Sequence, residues 1–367
     1  MRLYKVSGLI CLLFFAHLIA AKETPFVIRQ LAAELPIPWG MTLVTDNQLL
    51  ITQRSGSIIL LNIDTGTKSP ISGGPKVLAQ GQGGLLDVVS APEYASNGWL
   101  YFTYVKALRS GGATVLARAR LSIEHQQLVD WQDLLVTDSA TNESRHFGSR
   151  IAFDNSGHVF FSVGDRGVRK NAQNTLNHAG AILRLNLDGT VPADNPFIGD
   201  EDYLPEIFSY GHRNPQGLAF DEKRQQLWAI EHGPRGGDEI NLIVAGKNYG
   251  WPITSHGKEY WGPVSVGEGQ TKAGIESPKK VYIPSIAPSS LIVYSGTAFK
   301  NWQGDLLAGA LKLAHINHLQ VRSDKIVNEQ RYLSDKKQRI RNVITDEQGR
   351  LIIATDNGFI YRLSPTP

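Results

Sequence analysis

Several short stretches of the chain carry residue types that can do chemistry. In "SRHFGSRIAFD", residues 144–154, His146 stands just ahead of an apolar run, and a neutral imidazole is a good proton acceptor near neutral pH. In "SVGDRG", residues 162–167, Asp165 ends the next apolar run, where a carboxylate can orient an imidazole and stabilise its protonated form. Taken singly, each also has an ordinary reading: a surface histidine, and an aspartate turn ahead of Gly167. In "GHRNPQGLAF", residues 211–220, Arg213 offers five donors in a rigid fork, while Asn214 and Gln216 each offer a donor and an acceptor. That set suits a flat ligand rich in carboxylates and carbonyls. The plain alternative is a loop held by its own side chains around Pro215.

The stretch "EHGPRGGDEINLIVAGKNYGWP", residues 231–252, gathers Gly233, Gly236 and Gly237 around Pro234. Such a turn frees backbone carbonyls to point inward, and Asp238 and Glu239 add hard oxygen donors. Oxygen sets of this kind select calcium or magnesium, with calcium favoured by irregular, carbonyl-rich geometry. The alternating acidic spacing of an EF-hand is absent, and a glycine-rich hairpin is the competing reading. Lys312 closes an apolar run, and Arg339 and Arg341 lie two apart in "QRIRN", so on a strand they share a face. Three cations aimed inward call for an acidic ligand; otherwise the arginine pair lines a solvated edge. No phosphate-binding G-x-x-x-x-G-K-[ST], no G-x-G-x-x-G opening a helix, no H-E-x-x-H and no G-x-S-x-G occurs. Nucleotide cofactors, zinc proteolysis and α/β-hydrolase chemistry lose their usual supports.

The elements that must position these residues repeat. An apolar strand, a polar turn with Gly or Asn and a second apolar strand recur from Trp39, Gly83, Arg150, Gly217, Gly296 and Arg341. Six antiparallel units in one domain point to an all-β, six-bladed β-propeller, in which radial repetition leaves only short sheet edges. A β-sandwich with decorated loops is the competing fold. In a propeller, a site is assembled at the hub from strand ends far apart in sequence, and the polar clusters lie at such ends.

Composition sets the outer limits. The first 21 residues place Arg2 and Lys5 ahead of an apolar run ending in small residues, the pattern of a secretory signal peptide; an uncleaved N-terminal anchor is the rival. Residues 22–367 are then one exported domain, periplasmic or secreted, with no membrane span. The single cysteine, Cys11, lies in the leader, so a disulfide, a thiolate metal site and a cysteine nucleophile are excluded from the mature chain. Removing the leader leaves 35 basic against 34 acidic residues, a net charge of +1 (37 and 34 in the whole chain, less two basic). Such a balance gives no reason to expect nucleic acid or an anionic membrane as partner.

"GQGGLLDVV", "HFGSRIAFD", "GAILRLNLDGTVPADNPF", "GHRNPQGLAFD", "EHGPRGGDEINL" with "KNYGWP", and "QRIRNVITDEQGRLIIATD" occur in this order. Together they resemble the soluble, pyrroloquinoline quinone (PQQ)-dependent aldose sugar dehydrogenases, the group that includes soluble quinoprotein glucose dehydrogenase. The resemblance runs from about Leu35 to the C-terminus. It implies a six-bladed propeller with PQQ over the axis, an aldose substrate oxidised at C1, and an external electron acceptor. It implies His146 as general base with Asp165 as the acid near it, and Arg213 and Asn214 as quinone contacts. Gln82, Lys312, Arg339 and Arg341 match the remaining polar contacts. Gly233 and Pro234 match carbonyl ligands of a Ca2+ beside the cofactor, and Glu239 and Tyr249 match a second calcium site, with Glu259 a weaker candidate. The sugar-binding loops, taken as "TSHGKEYWG" and residues 280–297, carry no match. Two other readings stay open: an exported propeller that binds carbohydrate or protein without catalysis, and a calcium-dependent lactone hydrolase, which would need carboxylates as direct ligands of a central metal.

Overall fold

Strand after strand in this chain is apolar at both parities. Leu49, Leu50 and Ile51 are all fully buried, as are Leu227, Trp228, Ala229 and Ile230. Successive strand side chains point to opposite faces, so such a strand needs an apolar layer on each side. The computed structural model, which describes residues 26–366, supplies both layers by placing six four-stranded antiparallel sheets around a ring. Leu49 and Ile51 face one neighbouring sheet and Leu50 the other; Leu227 and Ala229 face one, Trp228 and Ile230 the other. Each of the six main apolar clusters is the interface between two successive blades. The sandwich alternative falls, because no two sheets carry the whole core. The leader expected at 1–21 lies outside the described residues.

The innermost strands are Pro38–Thr45, Leu85–Ser90, Ile151–Phe153, Pro215–Asp221, Pro288–Val293 and Ile340–Thr345. Each touches the next around the axis, and the last touches the first. Five of the six sequence units begin at or near one of these strands. The unit expected from Gly296 does not: Pro288–Val293 precedes it, and residues 280–297 are therefore not one continuous loop. The strand opens "PSSLIV", and its proline and serines disguise it, although Ser289 and Ser290 are buried. The last blade joins both ends of the chain, since Phe26–Ala32 pairs antiparallel with Ile360–Pro365 as its outermost strand.

One side chain ties all six blades together. Arg150, buried in the blade that starts at Ile151, donates to Asp87 Oδ1 (2.8 Å), to the carbonyls of Gln216 (3.0 Å) and Ser289 (2.6 Å), and to that of Arg341 (2.9 Å). Its guanidinium also lies 4.1 Å from the ring centroid of Trp39. Those partners belong to the other five blades. The single exceptional residue on the axis thus fixes the strand starts that carry the candidate site.

Candidate active site

His146 sits in the connection that enters the third blade, with a φ of 57°. That left-handed conformation is uncommon for a residue with a Cβ, and several contacts enforce it. Its N–H donates to Gln82 Oε1 (2.8 Å) and its carbonyl accepts from Arg166 N (3.3 Å). Gly164 must be glycine here, because a Cβ would lie 2.4 Å from the His146 carbonyl oxygen. Three residues on, Ser149 has φ 93°, a conformation glycine adopts at lower cost. The buried Arg166 donates to the carbonyls of Glu143, Arg145 and Gly112, bracing the loop from beneath.

The imidazole is nearly enclosed, and Nδ1 lies 2.6 Å from Asp165 Oδ1. Asp165 is held in turn by Trp251 Nε1 (2.8 Å) and Gly167 N (2.8 Å). Burial pushes the His146 pKa down, assisted by Arg213 and opposed by Asp165. Asp165 titrates below the ordinary carboxylate value, because its bond to His146, with His146 and Arg213 nearby, outweighs burial. The favoured state is a neutral imidazole donating Nδ1–H to a carboxylate, which leaves the Nε2 lone pair available. No hydrogen bond to Nε2 occurs among the described residues.

The 211–220 loop is held from below by a residue the sequence reading passed over. Glu231 accepts from Arg213 N (2.7 Å), His212 Nδ1 (2.9 Å) and Asn241 Nδ2 (3.1 Å). Arg213 then reaches the His232 carbonyl (3.1 Å) and the Tyr260 hydroxyl (3.4 Å), while its buried Nε has no partner. Asn214 Oδ1 accepts from Gly148 N (3.1 Å), and Gln216 donates to the Gly148 carbonyl (2.9 Å). Both readings of this loop hold at once: it is stapled by its own side chains, and it presents an arginine.

A cavity of about 230 Å³ opens at this end of the axis, walled by Trp39, Gln82, Asn214, His232, Arg339 and Arg341 among others. Arg339 Nε and Arg341 Nε both bind Asp356, at 3.0 and 2.7 Å. The two guanidinium groups therefore share a face, as the spacing requires, but an internal carboxylate already answers part of their charge. Lys312 differs from the expectation of an inward cation: its side chain is exposed on the rim and makes no ion pair, although Leu311 beside it lines the cavity. A wider cavity of about 450 Å³ lies at the opposite end of the axis, with Arg150 in its wall.

The Gly233–Gly237 turn is as tight as its composition suggests. A Cβ on Gly233 would lie 2.0 Å from the Gly237 carbonyl oxygen. Asp238 is not a free oxygen ligand: it accepts from Gly233 N (2.9 Å), Ser285 Oγ (2.6 Å) and Ala287 N (2.9 Å), and so keeps the turn in shape. Glu239 makes no ion pair, and its side-chain partner is the neutral amide of Asn241. Burial, with Glu231 and Asp238 nearby, pushes its pKa up to about 8. It shares a pocket of about 20 Å³ with Gly233, Pro234, Glu231, Tyr249 and Ser255, a space of the order of one water or ion. The Tyr249 hydroxyl is satisfied by Leu242 O (2.6 Å) and Val244 N (2.9 Å), which leaves its backbone carbonyl as the available donor. Glu259 is bound by Arg169 through both oxygens, at 2.6 and 2.7 Å, and is committed there. Among the described residues no three His, Cys, Asp or Glu side chains form a metal cluster, so any cation here depends on carbonyls. The central carboxylate set of a lactone hydrolase is not present among them.

Glu231, His232, Trp251 and Asp356 were missed from sequence. Only the first two had a usable signal, standing directly before Gly233 in "EHGP". Trp251 and Asp356 reach the site through tertiary contact alone.

Residues 35–362 match the protein family described as Glucose / Sorbosone dehydrogenase. The chain is 38% identical over 343 residues to the aldose sugar dehydrogenase YliI of Escherichia coli, covering 92% of each. It superposes with a TM-score of 0.89 on the apo-form crystal structure of the soluble aldose sugar dehydrogenase from Escherichia coli, at 36% identity over 93% of this chain and 100% of that one. The PQQ-bound form of an aldose sugar dehydrogenase from Streptomyces coelicolor aligns with a TM-score of 0.78 at 26% identity, over 92% of this chain and 98% of that one.

Proposed function

The chain belongs to the glucose/sorbosone dehydrogenase family, and from that premise we propose that this sugar dehydrogenase oxidises aldoses at C1 to lactones with PQQ and Ca2+. PQQ fits the residues present: a flat tricarboxylate suits a cavity walled by Arg54, Arg339 and Arg341, with Arg213 and Lys312 next in sequence to the lining residues Asn214 and Leu311. Gln82 and Asn214 would hold its polar edge. The Gly233 and Pro234 carbonyls would hold the calcium beside it, and Glu239 with the Tyr249 carbonyl a second one, where a buried carboxylate without an ion pair lines a small pocket. When bound, the quinone supplies the electrophilic carbon that accepts hydride, made more reactive by the cation.

His146 Nε2 takes the proton of the anomeric hydroxyl. Asp165 orients the ring through Nδ1 and stabilises the imidazolium that forms. Arg213, next to the cavity, opposes negative charge that develops there. One observation supports this reading above the others: a histidine with Nδ1 fixed by a buried carboxylate and Nε2 free is set beside an arginine-lined hub cavity. Export of the mature domain to the periplasm or beyond, expected from residues 1–21, forms part of the proposal. Among the described residues no helix is long and apolar enough to cross a membrane.

The test is to load apoprotein with PQQ and Ca2+ and follow dye reduction with a panel of aldoses. His146→Ala should lower sugar-dependent reduction by about 100-fold or more with quinone uptake preserved, whereas Arg341→Ala should weaken quinone uptake. Tight uptake without reduction by any aldose would leave a binding propeller in place of an enzyme.

A further inference from the structure

The near-zero net charge hides a strong polarity between the two ends of the propeller. Strands alternate in direction, so connections after the second and fourth strands of each blade return to the cavity mouth, and those after the first and third reach the far end. Arg54 lines the cavity at the mouth. Arg145, Lys170, Arg235, Lys312, Lys337 and Arg339 stand exposed on mouth-side connections. Lys258 joins them, because its backbone is hydrogen-bonded to that of Arg235. The acidic residues there are largely answered: Glu143 by Arg145, Glu259 by Arg169, Asp335 by Lys336, and Asp356 by Arg339 and Arg341. Glu34 and Asp138 are the exposed carboxylates of those connections without an ion pair. The far end is the reverse. Asp46, Asp64, Glu93, Glu124, Asp188, Glu222 and Glu347 are exposed on its connections, its arginines Arg224 and Arg350 are bound to Asp221 and Asp346, and Lys223 and Lys300 are exposed cations set among those carboxylates.

We propose that the basic mouth face is the docking surface for a protein electron acceptor that presents an acidic face. The inference rests on the dehydrogenase reading and names the partner that reading lacks. Oxidation of one aldose to its lactone releases two electrons and two protons, and two one-electron acceptors each take one electron while the protons pass to solvent. A cofactor seated at the mouth can be re-oxidised only from that side, because Arg150 and the inner strands fill the axis beneath it. Charge complementarity draws an acidic acceptor to that end, and the acidic far face repels the wrong orientation. The cofactor accounts for Arg339 and Arg341, which line the cavity; it does not account for Lys170, Lys312 and Lys337, which do not.

The experiment uses cytochrome c, a basic one-electron acceptor, and the same protein with its lysines succinylated, which makes it acidic. Binding of each to the apoprotein is measured without sugar. The succinylated form should bind at low ionic strength and lose affinity as salt rises, and native cytochrome c, which the acidic far end attracts, serves as the control for binding at that end. A Lys170→Glu/Lys337→Glu variant should weaken binding of the acidic form by about 10-fold or more and leave that of the native form unchanged, with an unchanged thermal midpoint and unchanged sugar-dependent reduction of a small neutral dye. Salt-insensitive binding of the acidic form, a variant that binds it as well as the parent, or a variant that loses both cytochromes alike would overturn the docking surface. Failure of every aldose to reduce the neutral dye would instead overturn the dehydrogenase reading, whatever the binding result.

Discussion

His146 Nδ1 and Asp165 Oδ1, 2.6 Å apart, set the protonation state on which the chemistry depends. Burial, the largest influence, lowers the histidine pKa, so the neutral form persists to a lower pH than for an exposed imidazole near 6.5. An NMR titration of the apoprotein should place the His146 midpoint below that value; a midpoint above it would mean that Asp165 outweighs burial. Glu239 behaves in the opposite sense. Its folded pKa is about 8 against an ordinary value of 4.5, so between those limits the folded chain retains a proton that the unfolded chain has released. The stability this contributes is complete below pH 4.5 and is lost as pH rises through about 8. Melting of the apoprotein should therefore decline across that window. Calcium should restore stability most at the alkaline end, by about 3 kcal/mol at a hundredfold excess over its dissociation constant. Glu239→Gln should flatten both responses.

At the scale of strands and connections, the site depends on first strands whose starts are locked together by Arg150. Its guanidinium and the Asp87 carboxylate are both buried, and Asp87 Oδ2 also accepts from Ile151 N (3.0 Å). Arg150→Ala strands a buried carboxylate and several carbonyls, at an expected cost of about 3–5 kcal/mol. Chemical denaturation measures it, and a loss below about 1 kcal/mol would show that the blades hold register without the hub. The order of the elements was legible where turns were rich in Gly and Asn and strands were purely apolar, as in "NGWLYFTYV". It was not legible at Pro288–Val293, where Ser289 and Ser290 are buried and look like loop residues in sequence, although Ser289 donates to the Ile340 carbonyl of the next blade at 2.6 Å.

For the whole molecule, ring closure joins the first described strand to the last. Phe26 packs against Phe299 and Tyr332 of the neighbouring blade, with ring centroids 6.5 and 5.3 Å apart. Deleting the chain through Ala32 exposes the edge of Ile360–Pro365 and opens that cluster. The truncated protein should melt at a lower temperature and self-associate through the freed edge, as scanning calorimetry and light scattering can show. Retention of the parent midpoint would mean that the ring closes through the other three strands alone.

Six repeats of apolar strand, polar turn and apolar strand, with polar residues at their ends, pointed to a propeller ahead of a sandwich and singled out His146, Asp165, Arg213, Arg339, Arg341 and the Gly233–Pro234 turn. Those properties are local, set by side-chain period and turn chemistry. Which carboxylate answers which cation was decided only by the tertiary structure, because Asp356, Glu231, Trp251 and Asp87 meet their partners across blades, at sequence separations that no spacing rule spans. The opposed charge of the two ends is tertiary in the same sense: a chain of nearly zero net charge acquires polarity only when strand alternation sorts its turns onto two faces.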